Sequence, residues 1–169
     1  MKTRTLLPLL LVLCCACASQ AQNAARGTAE ATIKDKKISI NYGRPSLKGR
    51  DLLAKAPVGT VWRVGMNEAT EITTAGDLII GGQALKAGKY SLWVRRTGED
   101  AWTLAFHPKA GVWGAPPLKE GYAAELPLKL EKASDSAEQL MISLTDMKGE
   151  GVVKIHWGTT LMHGTFGVK

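Results

Sequence analysis

The chain is cut by turn residues about every eight to twelve positions, and between the cuts apolar and polar residues alternate. That period of two allows strands with one face buried and leaves little room for amphipathic helices. Ala29-Ala31-Ile33 and Ile38-Ile40-Tyr42 alternate on either side of Lys34-Asp35-Lys36, which predicts a strand, a tight turn and a second strand. Leu78-Ile79-Ile80 and Gln83-Ala84-Leu85 flank Gly81-Gly82, a two-residue hairpin signal that needs positive φ. Tyr90, Leu92 and Val94 share one face of a strand, and Trp102, Leu104 and Phe106 share one face of the next. Four more strands are predicted over 125–130, 139–144, 152–157 and 159–166, with breaks at Ala133-Ser134-Asp135, at Met147 to Glu150 and at Gly158. Within Leu47 to Ala56 one helical turn is expected, ended by Pro57. The sum is an all-β domain of about nine or ten short strands, an antiparallel β-sandwich or a jelly-roll-like barrel.

The N-terminal residues stand apart from this pattern. Lys2 and Arg4 precede an apolar run, Leu6 to Ala18, too short to favour a membrane span, and Ser19-Gln20-Ala21 supplies small residues for cleavage. Residues 1–21 are therefore expected to be a secretory signal, which makes the product periplasmic or secreted. A lipoprotein signal, suggested by Cys14, Cys15 and Cys17 at the end of the apolar run, is the competing reading. Residues 22–28 are a polar lead-in and 29–169 a single domain, with no transmembrane segment after cleavage. All three cysteines lie in the signal, so the mature fold has neither disulfide nor thiolate chemistry. The net charge of +7 falls by two when Lys2 and Arg4 leave, and the remaining charges are interspersed. No nucleic-acid surface is expected from that distribution.

Charge and aromatics gather between Tyr42 and Thr74, a stretch rich in turns, and Trp113 sits in a second aperiodic segment, Pro108 to Gly121. Loops of that length in a compact domain usually carry function or move. Arg44, Lys48, Arg50 and Arg63, beside Tyr42 and Trp62, suit a carboxylate, phosphate or sulfate, and Asn67 and Glu68 add polar contacts. The alternative is structural: the arginines pair with Asp51, Glu68 and Glu71 to fasten the loop to the sheet. Glu68 and Glu71 are also the one close carboxylate pair in this stretch, but three positions apart on a strand they face opposite ways unless a bulge intervenes. His107, His156 and His163 lack close metal spacing, and no phosphate loop, nucleophile elbow or HExxH sequence occurs. Neither metal nor cofactor is expected.

Tyr42-Gly43-Arg44-Pro45-Ser46, Lys48-Gly49-Arg50, Val61-Trp62-Arg63 with Gly65, Asn67 to Ile72 and Ala87 to Leu92 resemble, as a set, a bacterial secreted family known as domain of unknown function twenty-nine eleven. Trp102, Trp113-Gly114 and Trp157 extend the resemblance over nearly all of the chain after the signal. The resemblance implies an exported, all-β single domain with no assigned activity. The residues themselves point to a module that binds a small polar or anionic ligand, a carbohydrate or an envelope component, through Tyr42, Arg44, Lys48, Arg50, Trp62, Arg63, Asn67, Glu68 and Trp113. A small hydrolase or isomerase using Glu68, and a structural module of the cell envelope, are the alternatives. Oligomeric state is left open.

Overall fold

The computed structural model describes residues 26–50, 53 and 55–169. The expected signal, most of the lead-in and Asp51 lie outside these residues. The fold is all-β and antiparallel: ten strands form one bent sheet that does not close into a barrel. They are β1 Arg26–Ile33, β2 Lys36–Gly43, β3 Val61–Trp62, β4 Thr70–Thr74, β5 Leu78–Ile80, β6 Gln83–Leu85, β7 Gly88–Arg96, β8 Trp102–His107, β9 Ala124–Met147 and β10 Glu150–Val168. Their order across the sheet is β1-β2-β4-β7-β8-β9-β10-β5-β6, with β3 also on β7. No helix occurs among the described residues; the helical turn expected in 47–56 falls partly on Asp51, Leu52 and Ala54, which lie outside them, and on either side Arg50 N–H and Ala56 N–H close turns on the carbonyls of Leu47 and Leu53.

The predicted hairpins form where the turn chemistry places them. Lys34 and Asp35 both take positive φ, at 46° and 63°, as a two-residue connection with the strands' own twist requires. Gly81 and Gly82 do the same at 56° and 85°. β7 and β8 pair with Leu92 opposite Phe106 and Val94 opposite Leu104. These side chains are buried with Ile33, Ile38, Ile40, Ile72, Leu140, Ile155 and Phe166 in one core, against which Tyr90 packs.

Two expectations need correction. Strand starts at Arg26, so Arg26 to Thr28 are sheet rather than lead-in. The last four predicted strands are two long ones, β9 and β10. Ala133-Ser134-Asp135 and Gly158 do not reverse the chain. They mark a place where the ladder jumps from Gly158↔Ala137 to Thr160↔Lys132, so that several β9 residues face one residue of β10. Gly158 takes φ of 62° there, and the disruption bends the pair as a bulge does. The long pair carries the sheet around, so that β1 lies alongside β9 and the Tyr42 hydroxyl donates to the Ile142 carbonyl at 3.3 Å.

A second break positions the candidate site. β3 and β4 lie along the same edge of β7: Trp62 pairs Val94, and Thr70 pairs Leu92. Residues 63–69 therefore leave the ladder opposite Trp93 and stand out from the sheet.

Candidate functional site

The outer face of the first strands carries a polar row set by register alone. Thr28, Asn41, Glu71, Ser91 and His107 are successive cross-strand partners on β1, β2, β4, β7 and β8. Segment 108–114 lies across this row and each of its turns is fastened. The Ser91 hydroxyl, fully buried, accepts from Trp93 Nε1 at 2.9 Å and donates to the Lys109 carbonyl at 2.8 Å. Lys109 N–H donates to His107 Nδ1 at 3.0 Å, and Gly111 N–H donates to Glu71. Ala69 N–H donates to the Val112 carbonyl and Gly114 N–H to the Asn67 carbonyl, both at 3.0 Å. Beneath the strap Trp93, Ala69 and Ala105 form a second small core with Val61, Val112, Leu118 and Tyr122 packed against it. The face of these strands opposite the main core is thus covered by the long loop.

The protruding 63–69 segment meets this strap. Asn67 takes φ of 62°, a conformation in which asparagine is one of the few tolerated side chains, and its carbonyl accepts from both Gly114 N–H and Arg63 Nη1. Val64 also takes positive φ, at 51°, which a β-branched residue does at a cost of about 1–3 kcal/mol. It is held there by burial and by the buried Thr70 hydroxyl, which donates to its carbonyl at 2.7 Å. Glu68 bridges Trp113 through the backbone, and its carboxylate accepts from Arg26 at 3.1 Å. Arg26 also donates to Asn41 at 2.6 Å.

Of the nine residues singled out from sequence, the fold brings four together here: Arg63, Asn67, Glu68 and Trp113. Trp113 is 58% exposed although its backbone is fixed on both sides. Arg63 lies against Gly114 and makes no ion pair among the described residues. The other five lie elsewhere. Tyr42 is in the core, Arg44 runs past Gly27 beside it, and Trp62 stacks on Trp157 at 5.5 Å. Lys48 and Arg50 are exposed on the turn that reaches Glu138 and the Gly158 bulge.

The ion pairs differ from those expected. Glu68 pairs with Arg26 and Glu71 with Lys89, at 3.1 and 2.6 Å, rather than with Arg44, Arg50 or Arg63. Arg26 was missed because it was assigned to the lead-in; it reaches Glu68 only through the β1–β2–β4 register. Because Glu68 precedes the strand, both carboxylates lie on the same side within Arg26's field. Burial would raise the Glu71 carboxyl, but the Lys89 hydrogen bond, Gly111 N–H and the charges of Lys89 and Arg26 hold it below its ordinary value. A carboxyl so held is a poor general acid near neutral pH. Among the described residues no three His, Cys, Asp or Glu side chains converge as a metal site would need, and no helix is long and apolar enough to cross a membrane.

Residues 24–166 match the family described as Protein of unknown function (DUF2911). No curated protein and no solved structure matches the chain.

Proposed function

The chain belongs to the Protein of unknown function (DUF2911) family, and since membership brings no activity with it, we propose from the geometry that this is an exported, non-catalytic module binding a small polar ligand with an anionic group, such as an acidic sugar. One observation carries the reading: Trp113 presents an indole to solvent from a backbone fastened on both sides. Exposed aromatic surface costs solvation free energy, and fixing it costs chain entropy, so neither is expected at a position without a task. A held indole is a stacking platform for the apolar face of a sugar ring. Arg63, without an acid partner among the described residues, supplies the charge for a carboxylate or phosphate, and a guanidinium binds either in bidentate fashion. Asn67 and the Arg26–Glu68 pair supply hydrogen bonds at the rim. Strain at Val64, next to Arg63, fits a segment shaped for a ligand rather than for stability. The hydrolase reading has less behind it, because Glu68 is exposed and engaged by Arg26. Export rests on residues 1–21, outside the described structure.

The test is a panel of neutral sugars, sugar acids, sugar phosphates and simple organic acids, titrated while the indole N–H signals of the five tryptophans are followed by NMR. The reading expects at least one anionic compound to move the Trp113 signal saturably, with little change at Trp93. If every compound leaves Trp113 unmoved, the binding reading fails.

A further inference from the structure

Trp113 is fastened through backbone contacts that are not all indifferent to pH. The first anchor of the strap is the Lys109 N–H donating to His107 Nδ1. That bond requires the ring nitrogen to be an acceptor, so it exists only while the imidazole is neutral with its proton on Nε2. A protonated ring presents an N–H to the Lys109 N–H, and the anchor becomes a repulsion. Lys109 cannot adjust independently, because its carbonyl is the acceptor for the buried Ser91 hydroxyl that also satisfies Trp93. Displacing Lys109 therefore disturbs the relay beneath the strap and, four residues on, the backbone that presents Trp113. We propose that His107 is a positioning residue which makes the Trp113 platform pH-dependent: ordered when the imidazole is neutral, loosened when it is charged. Its consequence for ligand capture rests on the binding reading above; the device itself does not.

The groups around the ring are few. Tyr122 meets it edge-on at 6.0 Å, with Arg95 over the Tyr122 ring at 4.9 Å and Glu125 paired to Arg95 at 2.6 Å. Gly121 passes close to Nε2, and Lys109 lies in the strap itself. The remaining ionic anchor, Glu71, faces Lys89, Arg26 and Gly111 N–H. Its carboxyl is held low by those partners, so it keeps accepting from Gly111 while a histidine titrates. Histidine is the side chain whose charge changes between about pH 5 and 8. Over that range the device acts at Lys109 while Glu71 still holds Gly111 midway along the strap, so the strap loosens about that point without unfolding.

The experiment needs no ligand. Follow the Trp113 indole signal, the Lys109 amide exchange and the His107 ring nitrogens by NMR as pH falls from 8 to 5 in the intact exported protein. The expected result is a Trp113 shift that tracks the His107 ring, and a rise in Lys109 exchange beyond the intrinsic pH effect of roughly fivefold, the factor for losing one net hydrogen bond of about 1 kcal/mol. In His107→Asn the side-chain oxygen accepts from Lys109 N–H without titrating, so the Trp113 shift should disappear while the exchange stays low. The unfolding curve of the variant at pH 8 shows that it is folded. A Trp113 signal that ignores the titration of His107, or one that still titrates in folded His107→Asn, overturns the proposal. Either result leaves the panel test of ligand binding untouched, so the two readings fail separately.

Discussion

Ser91→Ala isolates the junction on which the strap depends. The hydroxyl is fully buried and does two things: it accepts from Trp93 Nε1 at 2.9 Å and donates to the Lys109 carbonyl at 2.8 Å. Alanine removes both bonds and offers no replacement. Trp93 is itself fully buried, so its N–H is left without a partner, at about 1–3 kcal/mol; the part-buried Lys109 carbonyl can turn towards water and costs less. The expected total is about 2–4 kcal/mol, which for a domain of this size lowers the melting temperature by roughly 5–12 °C. Urea unfolding gives the free energy directly, provided the slope is unchanged. A double-mutant cycle with Trp93→Phe sharpens the test, because phenylalanine removes the stranded donor. The two losses should then be coupled by about 1 kcal/mol or more, the double variant being less destabilised than the sum. A loss under about 0.5 kcal/mol refutes the claim that Ser91 ties the strap to the sheet, and simple additivity refutes its bond to Trp93.

Leu104→Ala, at a residue 1% exposed opposite Val94, should cost about 2–5 kcal/mol in chemical denaturation, and a loss under about 1 kcal/mol would place that face outside the core. The lowered carboxyl of Glu71 contributes stability that is present above the ordinary glutamate range and is lost as pH falls through its folded-state value. Wild-type urea midpoints should therefore fall on acidification below that range more steeply than those of Glu71→Gln; equal slopes would show that Lys89 and Gly111 do not stabilise the charged form. In Gly114→Ala the new carbon would lie 2.3 Å from Arg63 Cδ and 2.9 Å from the Asn67 carbonyl, so the backbone must shift. Its amide signals at Asn67 and Glu68 should move, and an unchanged spectrum would contradict the packing of Arg63 under the strap.

Local chemistry was legible in the sequence and long-range partnership was not. Lys34-Asp35, Gly81-Gly82 and the β7–β8 alternation announce hairpins because turn conformation and burial are decided within a few residues. Gly158 and Ala133-Ser134-Asp135 carry the same composition as a reversal, yet here they break a ladder without turning the chain. Composition reports that regular pairing stops, and only the partner strand decides whether the chain turns back. Arg63, Asn67, Glu68 and Trp113 were selectable because charge and aromatics on aperiodic segments stand out. Arg26, Ser91 and His107 were not: Arg26 falls in the stretch that reads as lead-in, and Ser91 and His107 look like ordinary outward strand residues until the register lines them up. Tyr42 and Trp62 show the converse: aromatics next to arginines in sequence that the fold turns to the core and to Trp157.

The central claim is that Arg63 and Trp113 are kept for a ligand rather than for the fold, and Arg63→Ala tests it with two readouts on one protein. Arg63 donates a long hydrogen bond, 3.4 Å, to the Asn67 carbonyl and has no ion pair among the described residues, so its removal should cost under about 1 kcal/mol of stability. Calorimetric titration with the anionic compound that moves the Trp113 signal should show affinity falling at least about tenfold, about 1.4 kcal/mol. A melting temperature that drops steeply while the affinity per folded molecule is unchanged would contradict the account and make Arg63 part of the scaffold.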